Sequence, residues 1–411
     1  MALTKVITGV TDLNQAQSTN GLKFPTGSVF AGTPEEGMIR NDQSQSSETS
    51  SSTMQFYNGT AWKNFVNKTP IPLGSNNFNT VLYQGNGSTQ AVTGTAFTPD
   101  LVWVKGRSVA TSNNLFDSIR GNQRIISNST GAQVDLNPYA PDGLPSFNSN
   151  GFNIGDNFNG DYGLNGDPSG TYGSAAGYVA WCWKAGGAAV SNTDGTITSQ
   201  VSANVDAGFS IVKYTGNGTI PSTVAHGLDS APELIIVKVL NQSYPWNVFS
   251  ASIGNTKYLK LNETSAEASN ISRWNNTSPT SAVFTIGNDG DVNGNGLNYI
   301  AYAFHSVDGY SKMGSYTGNG SSTGPIVTTG FEPAWVMFKR TDSTSGWNIQ
   351  DNKRNSTNPR TGVLQAQSNA QEYTSSTYAV DFNSNGFQIV NSDNGWNTSG
   401  GTYIYMAFAA T

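Results

Sequence analysis

The chain has 411 residues, a formal net charge of −6 and only 12% charged side chains, about half the usual share. Its 21 Lys and Arg form no basic block, which argues against nucleic acid as a partner, because phosphate binding needs clustered cations. No apolar run approaches the roughly twenty residues of a membrane helix, so membrane insertion is not expected either. With 46 Gly, abundant Asn, Ser and Thr, and 11% aromatic residues, the composition is that of a turn-rich all-β protein and not of a disordered chain.

Residues 1–70 read as a small β segment. Leu13-Asn-Gln-Ala-Gln-Ser18 suits a short helix, and Pro34-Glu-Glu-Gly-Met-Ile-Arg-Asn41 a turn entering a strand. After the Ser-rich stretch Ser44–Ser52, Met54-Gln-Phe-Tyr-Asn-Gly-Thr-Ala-Trp-Lys63 reads as strand, Asn58-Gly59 turn and strand. Such a hairpin has too little to bury alone. It is therefore expected to pack against copies of itself or against a larger assembly. No signal-peptide core precedes it, so export by an ordinary signal is not expected.

The rest of the chain repeats. Tyr83-Gln-Gly-Asn-Gly-Ser88 recurs as Tyr214-Thr-Gly-Asn-Gly-Thr219 and as Tyr316-Thr-Gly-Asn-Gly-Ser321. Each copy is followed by an apolar run that opens on Pro and closes on Lys: Pro99–Lys105, Pro232–Lys238 and Pro333–Lys339. Runs rich in β-branched and aromatic side chains predict buried strands, with Pro tolerated at the first residue. Each copy ends on a second run: Tyr178–Lys184, Tyr299–His305 and Tyr403–Ala409. One parity there is bulky (Val179, Trp181, Trp183; Ile300, Tyr302, Phe304; Ile404, Met406, Phe408), and the other opens on Tyr and is mostly small. Alternate side chains point to opposite faces, so one face is expected to fill a core and the other to admit a second layer closely. Phe147-Asn-Ser-Asn-Gly-Phe152 and Phe382-Asn-Ser-Asn-Gly-Phe387 predict hairpins. The expected architecture is three tandem β-sandwich (jelly-roll-like) units over 78–187, 206–310 and 311–411.

These residues carry a resemblance. Gly309–Ser321, Gly330–Asp342, Trp347–Arg354, Asp381–Phe387 and Ser399–Ala409 closely resemble a repeated module of bacteriophage tail-fibre-like proteins of the marine phage and cyanophage type. Glu36-Gly-Met-Ile-Arg40 with Met54–Lys63 resembles a short β motif of trimeric phage fibres. The resemblance covers about four fifths of the chain. The second unit departs from the pattern: it lacks the Asp and Arg that the others place alike, at Asp117 with Arg120 and at Asp351 with Arg354. The resemblance implies a virion protein, made in the host cytoplasm, homotrimeric, joined to other tail proteins by its N-terminal segment and attaching the particle to a host envelope glycan. A connector or capsid-attached fibre without a receptor is the alternative, and a polysaccharide-degrading tailspike or a bacterial adhesin is further off.

No catalytic constellation is legible. The two histidines, His226 and His305, fall in different landmarks, and Asp117, Asp156, Asp161 and Asp167 are unpaired in sequence, so an enzyme is not expected. Asp289-Gly-Asp291-Val-Asn293-Gly-Asn295 has the oxygen spacing of a calcium loop, but Ile300 stands where the bidentate Glu belongs. It fits a Ca2+ site in the second unit or a plain turn. Trp246, Trp347 and Trp396 lie outside the core runs amid Asn, Ser and Asp, as sugar-stacking aromatics do. Lys105, Lys238 and Lys339 fit the closing charge of a buried strand, or a rim contact to an acidic glycan.

Overall fold

A computed structural model describes residues 74–139, 142–155, 163–166 and 176–409, with backbone strands at 39–42, 53–57 and 62–64. The chain divides into two compact units, Met1–Thr69 and Pro70–Thr411. In the first, Thr53–Tyr57 pairs antiparallel with Ile39–Asp42 and with Trp62–Asn64, in register Tyr57 to Trp62. The expected meander is present there. The helix expected at Leu13–Ser18 lies outside the described residues.

The second unit is all-β, and its three repeats share one plan. An opening strand (Phe78–Gln84, Phe209–Thr215, Ser311–Thr317) pairs with the closing strand (Gly177–Trp183, Asn298–Phe304, Thr402–Ala409). The closing strand pairs in turn with the lysine strand (Leu101–Gly106, Leu234–Val239, Pro333–Arg340). Three shorter strands continue each sheet. The second sheet gains two further strands on its opening edge, Val190–Asn192 and Ser199–Asn204. A smaller sheet covers one face of each main sheet. It includes the Phe147–Phe152 and Phe382–Phe387 hairpins in repeats one and three, and only Ser222–Ala225 with Val283–Ile286 in repeat two. Both hairpins pair Phe with Phe, and Asn148 and Asn383 face Gly151 and Gly386. The loop is thus Ser-Asn, and the Gly that follows begins the next strand. At Gly386 φ is +151, and a Cβ would lie 2.0 Å from the Val327 carbonyl, so only glycine fits.

The two faces of the closing strand have different tasks. Its Tyr-and-small face packs on the repeat's own small sheet: Tyr178, Ala180 and Cys182 join Val92, Phe152 and Ile154. Cys182 is a buried free thiol, and burial pushes its pKa up. The bulky faces of all three repeats meet in one shared core, where Trp181 and Trp183, Tyr302 and Phe304, and Met406 and Phe408 belong to a single cluster with Trp103, Trp246 and Trp335. The three units are therefore not independent sandwiches in a row. They form a closed ring, each repeat an internal two-layer sandwich whose outer bulky face is buried by its neighbours.

The seams repeat cyclically. Trp246 Nε1 donates to the Ile126 carbonyl at 2.9 Å, Trp347 Nε1 to the Lys260 carbonyl at 2.9 Å, and Asn113 Nδ2 to the Gln365 carbonyl at 3.1 Å. The backbone N–H of Gln133 reaches Leu240 O, that of Glu267 reaches Thr341 O and that of Glu372 reaches Arg107 O, at 2.7–2.8 Å. In both sets the three bonds join equivalent positions and run once round the ring, which is threefold pseudosymmetry within one chain.

Candidate functional site

The seams account for several of the singled-out residues. Lys105, Lys238 and Lys339 are fully buried. Each Nζ donates to a backbone carbonyl of the neighbouring repeat: Asn369 O at 3.0 Å, Thr130 O at 3.0 Å and Thr264 O at 3.2 Å. Each also donates to a carbonyl of its own repeat. The structure favours the strand-closing role over a rim contact, with carbonyls rather than acids as partners. Desolvation pulls the three ammonium groups down, to about 7 for Lys105 and about 8 for Lys238 and Lys339.

The Asp and Arg pairs belong to the same seams. Arg120 Nε meets Asp117 at 2.6 Å and Arg354 Nε meets Asp351 at 2.5 Å, all four side chains with no exposure. Each carboxylate also accepts from the closing strand of the next repeat: Tyr302 OH donates to Asp117 at 2.8 Å and Trp181 Nε1 to Asp351 at 3.0 Å. At the third seam the residue equivalent to these donors is Met406, and the positions facing it by symmetry are Ser250 and Ile253. The missing Asp and Arg of the second repeat thus accompany the one closing strand with no side-chain N–H or O–H at that position.

The Gly-Asn-Gly loops are built by a buried asparagine whose latching role is not legible in one copy alone; Asn293, read above as a calcium-loop position, is one of the three. Asn165, Asn293 and Asn397 have no exposure. Their Oδ1 accepts the N–H of Asn86, Asn217 and Asn319 at 2.7–2.9 Å. Their Nδ2 donates to the carbonyls of Ser88, Thr219 and Ser321. The next residue's N–H donates to the closing-strand tyrosine, Tyr178, Tyr299 or Tyr403. That tyrosine stacks on the opening Tyr of its repeat, with ring centroids 4.7–5.2 Å apart. The legible signal was Asp-x-x-x-Asn with Tyr six residues on, at Asp289, Asn293, Tyr299 and at Asp393, Asn397, Tyr403.

That alignment also corrects two site expectations, which occupy the same element in two repeats. Asp289 caps the single turn Gly290–Asn293, and Asp393 caps Asn394–Asn397. The calcium reading does not fit this geometry. Arg273 pairs with Asp289 and with Asp291, the latter at 2.6 Å. Asn293 is spent on the loop latch, and Asn295 is exposed. Among the described residues no three His, Cys, Asp or Glu converge as metal ligands. Trp396, the equivalent of Val292, is 2% exposed and packs on Phe338 at 5.3 Å. Trp246 and Trp347 are 0% and 1% exposed. None of the three offers a ring face to a sugar, because each fills a core or seam and, for Trp246 and Trp347, satisfies its indole N–H there.

The histidines stay apart in role. His226 is buried between the Thr280 carbonyl and the Leu228 N–H. His305 follows the closing strand with Nδ1 beside the Ser306 carbonyl. Asp117 is ion-paired, and Asp156, Asp161 and Asp167 lie outside the described residues.

What remains open is a set of aromatics one layer out. Short helical turns end at Tyr139, Trp274 and Tyr378, at equivalent points of the three repeats. Trp274 is buried and Tyr139 is exposed. Tyr378 is half-buried, its ring 5.8 Å from Trp396 and 5.5 Å from that of the half-buried Tyr373.

A family model described as a domain of unknown function (DUF7483) matches residues 73–411. The chain belongs to the DUF7483 family. No curated protein and no solved structure matches it. The matched span takes in all three repeats, so the DUF7483 domain corresponds to the whole pseudo-threefold ring and not to one repeat of it.

Proposed function

We propose that this DUF7483 chain is a phage virion fibre component that attaches the particle to the host cell surface by non-enzymatic glycan recognition. The observation that carries the reading is one framework written three times with different loops. Seam lysines, latching asparagines and tyrosine stacks are repeated, whereas the segments between them differ in length and composition. A rigid frame with dissimilar surface loops is a recognition architecture. The resemblance to tail-fibre-like proteins supplies the virion context. The ring closes its core within one chain, so the homotrimer belongs in this reading to residues 1–70, where three chains would gain by multivalency.

Adsorption interference tests it. Purified full-length chain is added to susceptible cells, and adsorbed phage are counted. A dose-dependent fall supports receptor binding; no fall with folded protein refutes it. A receptor-free structural component is the second reading. The observation in its favour is that most recurrent polar side chains are spent on internal bonds. Light scattering checks the trimer: a monomeric full-length chain removes it from the proposal.

A further inference from the structure

The geometry points to Tyr378 and Tyr373, with Asp393 beside them, as a contact site for a neutral glycan; this deepens the attachment reading and rests on it. The inference comes from comparing one position in three repeats. In the second repeat the aromatic is Trp274, 2% exposed and 5.8 Å from Phe249. The residue before it, Arg273, bridges Asp289 and Asp291 and lies 4.8 Å over the Tyr258 ring. That position is closed, and its cap carboxylate is neutralised.

In the third repeat the residue before the aromatic is Thr377, so no guanidinium stands there. Tyr378 and Tyr373 form an edge-to-face step with an interplanar angle of 80°, partly open to solvent and backed by buried Trp396. Asp393, the equivalent of Asp289, accepts the Gly395 N–H with Oδ1 at 2.8 Å. It lies close enough to Tyr373 to help burial and Tyr378 raise that phenol's pKa. An aromatic face stacks on the apolar face of a pyranose ring, and a neighbouring carboxylate accepts from its hydroxyls. The same carboxylate, in a chain of net charge −6, disfavours acidic sugars. Glu372, which precedes Tyr373 in the chain, is held by Arg107 and Arg354.

The test uses the full chain on an array of neutral and acidic oligosaccharides, alongside adsorption interference. Tyr378→Ala and Tyr373→Ala are each expected to weaken neutral-glycan binding about tenfold, as loss of one aromatic anchor does. Tyr378→Phe keeps the ring and is expected to bind as the parent does. Melting curves confirm that each variant folds. Parent binding that is unchanged in Tyr378→Ala overturns the site and leaves the attachment reading standing, as does binding confined to acidic glycans. If no array glycan binds but the parent blocks adsorption, loss of blocking in Tyr378→Ala supports the site and retained blocking overturns it. A parent that neither binds nor blocks overturns both.

Discussion

The third seam gives the ring an internal control for its buried ion pairs. Asp351→Ala would leave the Arg354 guanidinium at zero exposure without its carboxylate. It would also remove the acceptor of the Trp181 indole N–H. Breaking a buried pair from one side costs about 3–5 kcal/mol. The ring already holds the apolar alternative, Ser250 and Ile253 at the seam with Met406. Copying it, Asp351→Ser with Arg354→Ile exchanges both partners at once, and a double change that strands no charge is expected to cost only about 1–2 kcal/mol. The coupling between the two positions should then exceed about 3 kcal/mol, outside the usual range for residues in contact. Adding Trp181→Met should cost less in the Asp351→Ser, Arg354→Ile background than in the parent, because its hydrogen-bond acceptor is already gone. Denaturant unfolding of the full chain followed by tryptophan emission measures all of these, provided the slope with denaturant is common to the set. Additive costs for Asp351→Ser and Arg354→Ile would refute the claim that the two act as one buried pair.

Asn397→Ala removes the latch of the third Gly-Asn-Gly loop and strands the Asn319 N–H and the Ser321 and Asn391 carbonyls. A loss of about 1–3 kcal/mol for each orphaned group that water does not reach should appear as a lowered melting temperature. Gly386→Ala, with its Cβ driven against the Val327 carbonyl, should cost more than about 1 kcal/mol, and an unchanged melting temperature would contradict the hairpin geometry. The seam lysines make a pH prediction. Their folded-state values of about 7 to 8 lie below the ordinary 10.5, so in that window the unfolded chain holds more protons and stability rises with pH. From about pH 9 the raised thiol of Cys182 opposes that rise, and the raised phenols, among them Tyr83, Tyr214, Tyr302 and Tyr316, then reverse it. Urea midpoints between pH 7 and 11 should therefore pass through a maximum between about 9 and 10; a fall from 7 to 9 would contradict the lysine assignment. Millimolar calcium should leave the melting temperature unchanged, since Arg273 occupies Asp289 and Asp291.

Much of the fold was legible because strand chemistry is local. The lysine strands, the closing strands and the Phe-to-Phe hairpins all form, though Leu101–Gly106 and Leu234–Val239 begin two residues after their Pro and the hairpin loops are Ser-Asn, not the expected Asn-Gly. Even the division of the closing strand into a bulky and a small face was correct. What lay out of reach was the destination of the bulky face, because periodicity says that a face is buried and not what buries it. The clue was present in pairs of departures: Ser250 and Ile253 replace Asp and Arg in one repeat, while Met406 replaces a donor in another. Only the ring makes them neighbours. The site expectations erred for a related reason. A tryptophan set among Asn and Ser looks exposed in one dimension, yet Trp246 and Trp347 lie under a neighbouring repeat.

Covalent linkage of the three repeats bears on what the ring can recognise. A homotrimer of single repeats would carry the same residue at all three equivalent points. In one chain each point changes alone, provided the seams are kept. The lysine-to-carbonyl braces are kept at all three seams, and the one seam that abandons its ion pair does so on both sides together. The outer aromatic takes no part in those lysine braces and has diverged: exposed Tyr139, buried Trp274, half-buried Tyr378. Constraint inside with divergence outside is what selection on a surface would leave. On the attachment reading that divergence is expected, with Trp274 buried beside the Arg273 bridge and Tyr378 half-buried at the equivalent point.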